Sequence, residues 1–299
     1  MSLLRPILYS RPVNALMRTL VSPVKGRIPE KWHFPVNGVV RVRLEDGLSI
    51  RLRVNPTSFQ GKQFFWYGMK GFEPAVHRVF RRLMAETDVF MDIGANLGLY
   101  SLLAGTYQSS CRILSFEPLP AAYSFLQRNL ALNRMKDVDA FPVALSDKNG
   151  SATFHGPFNP KFGYVSAHLG GTGSLDPGAN QTNRQAFTVP TARLDDLLTG
   201  YDGPPVDLIK MDTEGTEHHV LDGGLETIRN QRPLILCEVL TNRIEAELDL
   251  RLHKLEYRAI ALLPGGLKPI NSLEFGRASV NDYLLCPAER SKEVVERFR

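Results

Sequence analysis

From residue 89 onward, apolar positions alternate between short unbroken runs and longer stretches at helical spacing. Val89, Phe90, Met91 and Ile93 form one run, Ile113, Leu114 and Phe116 a second, and Leu208, Ile209 and Met211 a third. Such runs suit strands covered on both faces. Between them, residues 97–104, 119–133, 217–230 and 243–255 repeat apolar residues with a helical period. The alternation predicts a doubly wound α/β sheet, mostly parallel. Its strands are expected from Val89, at 112–116, at 138–145 with a break at Pro142, at 206–212, at 233–239, at 257–263 and at 282–286.

The first seventy residues follow another pattern. Residues 40–44 and 48–54 alternate apolar and polar around Asp46 and Gly47, the signature of a hairpin with one buried and one basic face. Pro74 then opens a helix to about residue 84, at a position where proline is tolerated. Further upstream, Leu3, Leu4, Ile7, Leu8, Val13, Leu16, Met17 and Leu20 keep helical spacing, but Pro6 and Pro12 break it into short helices. This predicts an appendage over residues 1–71 and a main domain over 72–299. A glycine-rich insertion at about 148–190 holds Gly156, Gly163, Gly170, Gly171, Gly173 and Gly178 and reads as a small hairpin with a substrate loop. The aromatic residues Phe64, Phe65, Trp66 and Tyr67 and this insertion are the expected walls of an acceptor pocket.

Composition narrows the class. The chain has 299 residues, 43% of them hydrophobic and 22% charged, which fits a globular protein and excludes a disordered or membrane-embedded body. Cys111, Cys237 and Cys286 are widely separated and lie in or beside apolar runs, so they read as reduced core residues with neither disulfide nor zinc spacing. With no apolar run near the length of a membrane span, the expected location is cytoplasmic. The net charge of +5 is unevenly spread. Arg5, Arg11, Arg18, Lys25, Arg27 and Lys31 surround a single acid, Glu30. Two readings of residues 1–25 follow: a helix packed on the domain, or peripheral contact with an anionic membrane surface.

The candidate chemistry begins where the first long run ends. Asp92, Gly94, Ala95, Asn96 and Gly98 spell D-x-G-x-x-x-G between a strand and a helix. Glycines there allow a tight turn and close approach of a ligand to the backbone. A dinucleotide turn wants a glycine where Asn96 stands. An acid entering the turn suits a cationic cofactor, such as S-adenosylmethionine, better than a pyrophosphate. Four further strands also end at or near acids: Glu117, Ser146 with Asp147, Asp212 and Glu238. Ligands of such sheets sit at the carboxyl ends of the strands. Glu117 is placed to grip ribose hydroxyls and Asp147 to reach the adenine edge.

These motifs resemble the FkbM family of S-adenosylmethionine-dependent methyltransferases. The likeness covers residues 72–287 and rests on residues 92–101, the triplet Phe116, Glu117 and Pro118, residues 143–147, residues 207–217 and the strand holding Glu238. Thr213 stands where the family often has valine. The resemblance implies a class I methyltransferase fold, with a seven-stranded sheet whose last strand is antiparallel, and O-methylation as the usual activity. A hydroxyl acceptor gains from a positioned base, for which Asp212 and Glu214 are the candidates, with Glu238 in support and His218 and His219 as alternatives. No spacing demands a metal. The expected acceptor is a hydroxyl of a sugar or glycan, a glycolipid or a polyketide-like molecule. A nucleic-acid methyltransferase and a non-catalytic cofactor-binding scaffold docked on a membrane are the rivals. The acidic residues after the fourth strand argue against nucleic acid.

Overall fold

The computed structural model describes residues 5–176, 183–275 and 280–298. Leu3, Leu4 and Gly178 therefore lie outside the described residues. The chain opens with α1 (Arg5–Leu8) and α2 (Arg11–Val21), whose prolines occupy first turns, where a missing N–H costs nothing. Strands β1 (Gly38–Arg43) and β2 (Ser49–Val54) pair antiparallel, and Leu44 N–H donates to the Leu48 carbonyl across the turn. Val40, Val42, Ile50, Leu52 and Val54 point inward, while Arg41, Arg43 and Arg51 point out. Helices α3 (Phe59–Tyr67) and α4 (Pro74–Met84) complete this region. Its apolar residues share one continuous cluster with the main sheet.

The alternation of strands and helices then proceeds as β3 (Val89–Ile93), α5 (Leu99–Tyr107), β4 (Arg112–Phe116), α6 (Pro120–Asn133), β5 (Val138–Phe141), β6 (Ala144–Leu145), β7 (Gly150–Pro157) and β8 (Arg184–Ala192). It continues with α7 (Leu194–Leu197), β9 (Leu208–Met211), α8 (Glu217–Gly223), α9 (Leu225–Gln231), β10 (Leu234–Glu238), α10 (Glu245–Leu255), β11 (Tyr257–Leu263), β12 (Gly266–Pro269), β13 (Asp282–Pro287) and α11 (Ser291–Arg297). Among the described residues the main sheet has eight strands in the order β12-β11-β13-β10-β9-β3-β4-β5. Neighbours from β10 to β5 are parallel, whereas β13 runs antiparallel to both β10 and β11. Strand β12, an edge hairpin partner of β11, is the addition to the seven expected.

Three elements depart from the sequence reading. The expected third strand is split at Pro142: β5 stays in the main sheet, while β6 pairs with β8 in a separate three-stranded sheet with β7. The helix expected over 217–230 breaks at Gly224, where a Cβ would meet Leu194 Cδ2 at 2.9 Å. Phe64, Phe65 and Trp66 lie on α3 and are buried in the core rather than facing an acceptor.

Strand alternation decides which side chains reach the site. Val89, Met91 and Ile93 pack on one face of the sheet with Ile209, Met211, Ile235 and Leu285. Phe90, Leu208, Leu236 and Leu284 pack on the other, under the N-terminal hairpin, α4 and α5. The even-numbered positions Asp92, Lys210, Glu238 and Asp282 share that second face, and two direct register pairs link them: Asp92 with Lys210, and Glu238 with Asp282.

Candidate active site

The order of strands reverses between β3 and β9, so the turns after these two strands flank the crevice where a doubly wound sheet binds its ligand. Gly94 sits at φ +78°, and a Cβ there would lie 1.9 Å from the Asp212 carbonyl oxygen. The glycine thus serves the close approach of the two turns. Both Gly94 N–H and Ala95 N–H donate to the Phe116 carbonyl, at 2.9 and 3.0 Å. Gly98, at φ +83°, begins α5 where a Cβ would strike Leu126. Asp92 is buried, and its carboxylate accepts from Ser101 N–H at 2.9 Å and Ser101 Oγ at 2.5 Å. Burial raises its pKa to about 6.

Glu117 lies one strand over. Its two oxygens accept from different backbone groups, Leu119 N–H and Asn96 N–H, both at 2.8 Å. Burial pushes its pKa up to about 7. These bonds fix the carboxylate at the wall of a cleft of about 630 Å³, otherwise lined by Phe116, Pro118, Leu119, Val143, Phe154 and Leu175, among others. The side-chain oxygen of Asn96 is buried there without a hydrogen-bond partner among the described residues. An apolar slot beside a fixed carboxylate and an unpartnered carbonyl oxygen fits a ribosyl-adenine. Gly170, Gly171 and Gly173 of the insertion border the same cleft.

Ser146 and Asp147, expected near the adenine, are not on that wall. Because β6 leaves the main sheet, Val143, Ala144 and Leu145 line the cleft in their place. Ser146 Oγ donates to Asp147, whose other neighbours are Lys148 and His219 Nδ1. The His218 and His219 rings lie 4.0 Å apart between centroids, tilted by 38°, and neither lines the cleft or the chamber beside it.

That second chamber, about 850 Å³, shares Gly94, Asn96, Gly171, Asp212 and Glu214 with the cleft. Its roof comes from the N-terminal region, through Phe59, Gln60, Phe72 and Glu73. Asp212 and Glu214 are aimed by a turn that the buried Glu217 cinches, accepting from Thr213 N–H at 2.8 Å, Thr213 Oγ1 at 3.0 Å and Gly215 N–H at 3.1 Å. Thr213, unlike a valine, supplies one of these bonds. Glu214 and Gly215 take left-handed backbone conformations, at φ 58° and 105°. Glu238 enters from the end of β10.

Lys210, Glu73, Tyr100 and Asp282 join this group unannounced by the sequence reading. Lys210 is 2% exposed, and its Nζ lies 3.7 Å from Asp212 Oδ2 and 5.4 Å from the Tyr100 ring centre. It makes no hydrogen bond among the described residues. The surrounding carboxylates, Asp212 foremost, outweigh its burial and raise its pKa, so it stays charged. Tyr100 donates to Glu73 at 2.5 Å, and burial lifts Glu73 to about 7. Burial and then the charge of Asp212 raise Glu214 and Glu238 well above the carboxylate range. A lysine inside a four-residue buried strand was the available signal, because charge is costly there unless paired.

The sheet order, the antiparallel β13 and the switch-point cleft define the class I methyltransferase architecture. A family model described as the methyltransferase FkbM domain matches residues 92–259, and the chain belongs to that family. Membership implies S-adenosylmethionine as the cofactor. The chain is similar to the 2-O-methyltransferase NoeI of Sinorhizobium fredii, 32% identical over 166 residues, covering 52% of this chain and 66% of that protein. It also resembles methyltransferase sdnD of Sordaria araneosa, 33% identical over 161 residues, covering 44% and 59%. The chain thus spans less than two thirds of either relative. A solved FkbM methyltransferase from Methylobacillus flagellatus KT aligns at 14% identity with a TM-score of 0.41, over 67% of this chain and 44% of that one.

Proposed function

We propose that this protein is an S-adenosylmethionine-dependent O-methyltransferase acting on a hydroxyl of a sugar or glycan, a glycolipid or a polyketide-like small molecule. The carrying observation is the two-chamber site: an apolar cleft with a fixed carboxylate lies beside a chamber lined by carboxyl groups, and Asp212 and Glu214 line both. When bound, the cofactor supplies an activated methyl group on a sulfonium. Glu117 would hold its ribose, and the apolar slot its base. On the chamber side, Asp212 accepts the proton of the acceptor hydroxyl, while Glu73, Glu214 and Glu238 offer hydrogen bonds to neighbouring hydroxyls. The 2-O-methyltransferase activity in the name of NoeI supports oxygen as the acceptor atom.

The test is a transfer assay with methyl-labelled cofactor over panels of glycans, glycolipids, polyketide alcohols and nucleic acids. Ether-linked label on a hydroxylated acceptor is expected. Label confined to nucleic acid, or cofactor binding without transfer to any member of the panels, overturns the reading.

The role of Glu117 has its own expected result. Glu117→Gln keeps the size of the side chain but replaces charge-assisted bonds, each worth about 1.5–3 kcal/mol, so cofactor affinity should drop by roughly tenfold or more. In the wild type, affinity should decline as pH falls through about 7, where this carboxyl takes up its proton. The variant should lack that dependence. Calorimetry showing equal affinity and equal pH profiles would remove Glu117 from the cofactor site.

A further inference from the structure

Helix α2 buries Asn14 and half-buries Arg18 alongside Val13, Met17 and Val21, the last of which packs on the core cluster. Asn14 is buried, donating to the Pro35 carbonyl at 2.9 Å and accepting from Asn37 N–H at 2.8 Å. One turn on, Arg18 donates to the carbonyls of Val39 at 2.7 Å and Asn37 at 3.2 Å. Leu16 and Leu20 are about half a helical turn away from this stripe, and they stand 61% and 68% exposed. A helix on a soluble surface ordinarily turns its apolar stripe to the core. Here the hydrogen bonds to residues 35–39 rotate the helix so that part of that stripe, Leu16 and Leu20, is left in the open while Val13, Met17 and Val21 stay half-buried.

The surrounding segment has the same character. Ile7, Leu8 and Val24 are exposed, and Trp32 is 69% exposed. Arg11, Arg27 and Lys31 are exposed among them, with Glu30 the one acid between residues 5 and 32. Arg18 and Lys25 turn inward, Lys25 donating to the Phe65 carbonyl. The segment is anchored on the enzyme: the Tyr9 and Phe162 rings meet edge to face at 5.6 Å, and Tyr164 donates to the Arg5 carbonyl at 3.4 Å. Its conformation is therefore set by the protein, with Ile7, Leu8, Leu16, Leu20, Val24 and Trp32 left exposed.

We propose that α1, α2 and Trp32 form a docking face for the surface of an anionic lipid bilayer. Leucines and a tryptophan enter the boundary between headgroups and acyl chains, and the exposed cations meet the headgroup charge. A purely apolar partner would leave these cations without counter-charge; an anionic bilayer satisfies both halves of the face. The inference is independent of the identity of the methyl acceptor.

Sedimentation of the full chain with vesicles tests it. Binding is expected to phosphatidylcholine vesicles containing phosphatidylglycerol, to be weaker for phosphatidylcholine alone, and to decline with salt, since exposed charges are screened. The chain has two tryptophans. Trp66 is buried and donates to the Phe34 carbonyl, so a blue shift of emission on binding should come from Trp32 and vanish in Trp32→Phe. Leu16→Asp with Leu20→Asp should lower the bound fraction by roughly tenfold or more, while cofactor binding is retained. Should that double variant fail to fold, Arg11→Glu with Lys31→Glu decides in its place by the same loss. No binding to anionic vesicles, or unchanged binding by the folded variants, overturns the proposal. So does lipid-independent dimerisation abolished by the leucine changes, which would assign the face to a second copy of the chain.

Discussion

Asp212→Asn should lower turnover by ~10² or more, the usual contribution of a positioned base, while leaving cofactor affinity nearly unchanged. The side chain keeps its size and its place beside Lys210, 3.7 Å away, but loses its basicity. Glu214 and Glu238 are poor substitutes near neutral pH, because burial, the larger cause of their raised pKa, still favours their protonated form once the charge of Asp212 is gone. Raising the pH should not restore the Asn variant to wild-type turnover, since an amide does not become a carboxylate. Single-turnover rates measured alongside cofactor affinity separate chemistry from binding. Loss of wild-type activity to a chelator and its return with divalent ion would move Asp212 from base to metal ligand. Near-normal turnover in both Asp212→Asn and Glu214→Gln would instead leave the reaction to positioning alone.

How far the site was legible follows from which physics is local. The acids at strand ends could be read because apolar runs mark buried strands, and the crevice rule then places their ends. Asp92, Gly94, Ala95, Asn96, Gly98, Glu117, Asp212, Glu214 and Glu238 accordingly converge, each lining the cleft, the chamber or the turns between them. Ser146 and Asp147 line neither the cleft nor the chamber, for a reason no local pattern carries: β6 pairs with β8, far along the chain. Glu73 read only as the residue before a helix. Its reach into the chamber depends on how the N-terminal region folds over the sheet. Likewise, helical spacing located α2, but the choice of its buried face rests on Asn14 and Arg18 finding the carbonyls of Pro35, Asn37 and Val39.

Lys210→Met should destabilise the fold by about 3–5 kcal/mol near neutral pH, the loss expected when one partner of a buried ionic group is removed and the others remain. The methionine replaces a side chain of similar length, so cavity formation is a small part of the effect. What remains is a set of carboxylates, Glu73, Asp212, Glu214, Glu238 and Asp282, without their buried cation. The pH dependence gives the role a signature. Carboxyls raised on folding bind protons more tightly in the native state, so the stability they confer is present below their unfolded pKa and is lost as pH rises through the folded one. For Glu73 that window runs from 4.5 to about 7, and for Asp92 from 3.8 to about 6. Removing Lys210 raises these groups further and extends the loss upward in pH. The gap between wild type and variant, measured by urea denaturation without cofactor, should therefore be wider at pH 8 than at pH 5. A gap of constant size would mean that Lys210 contributes packing rather than charge. A variant as stable as the wild type at pH 8 would show that the chamber's carboxylates do not need their cation.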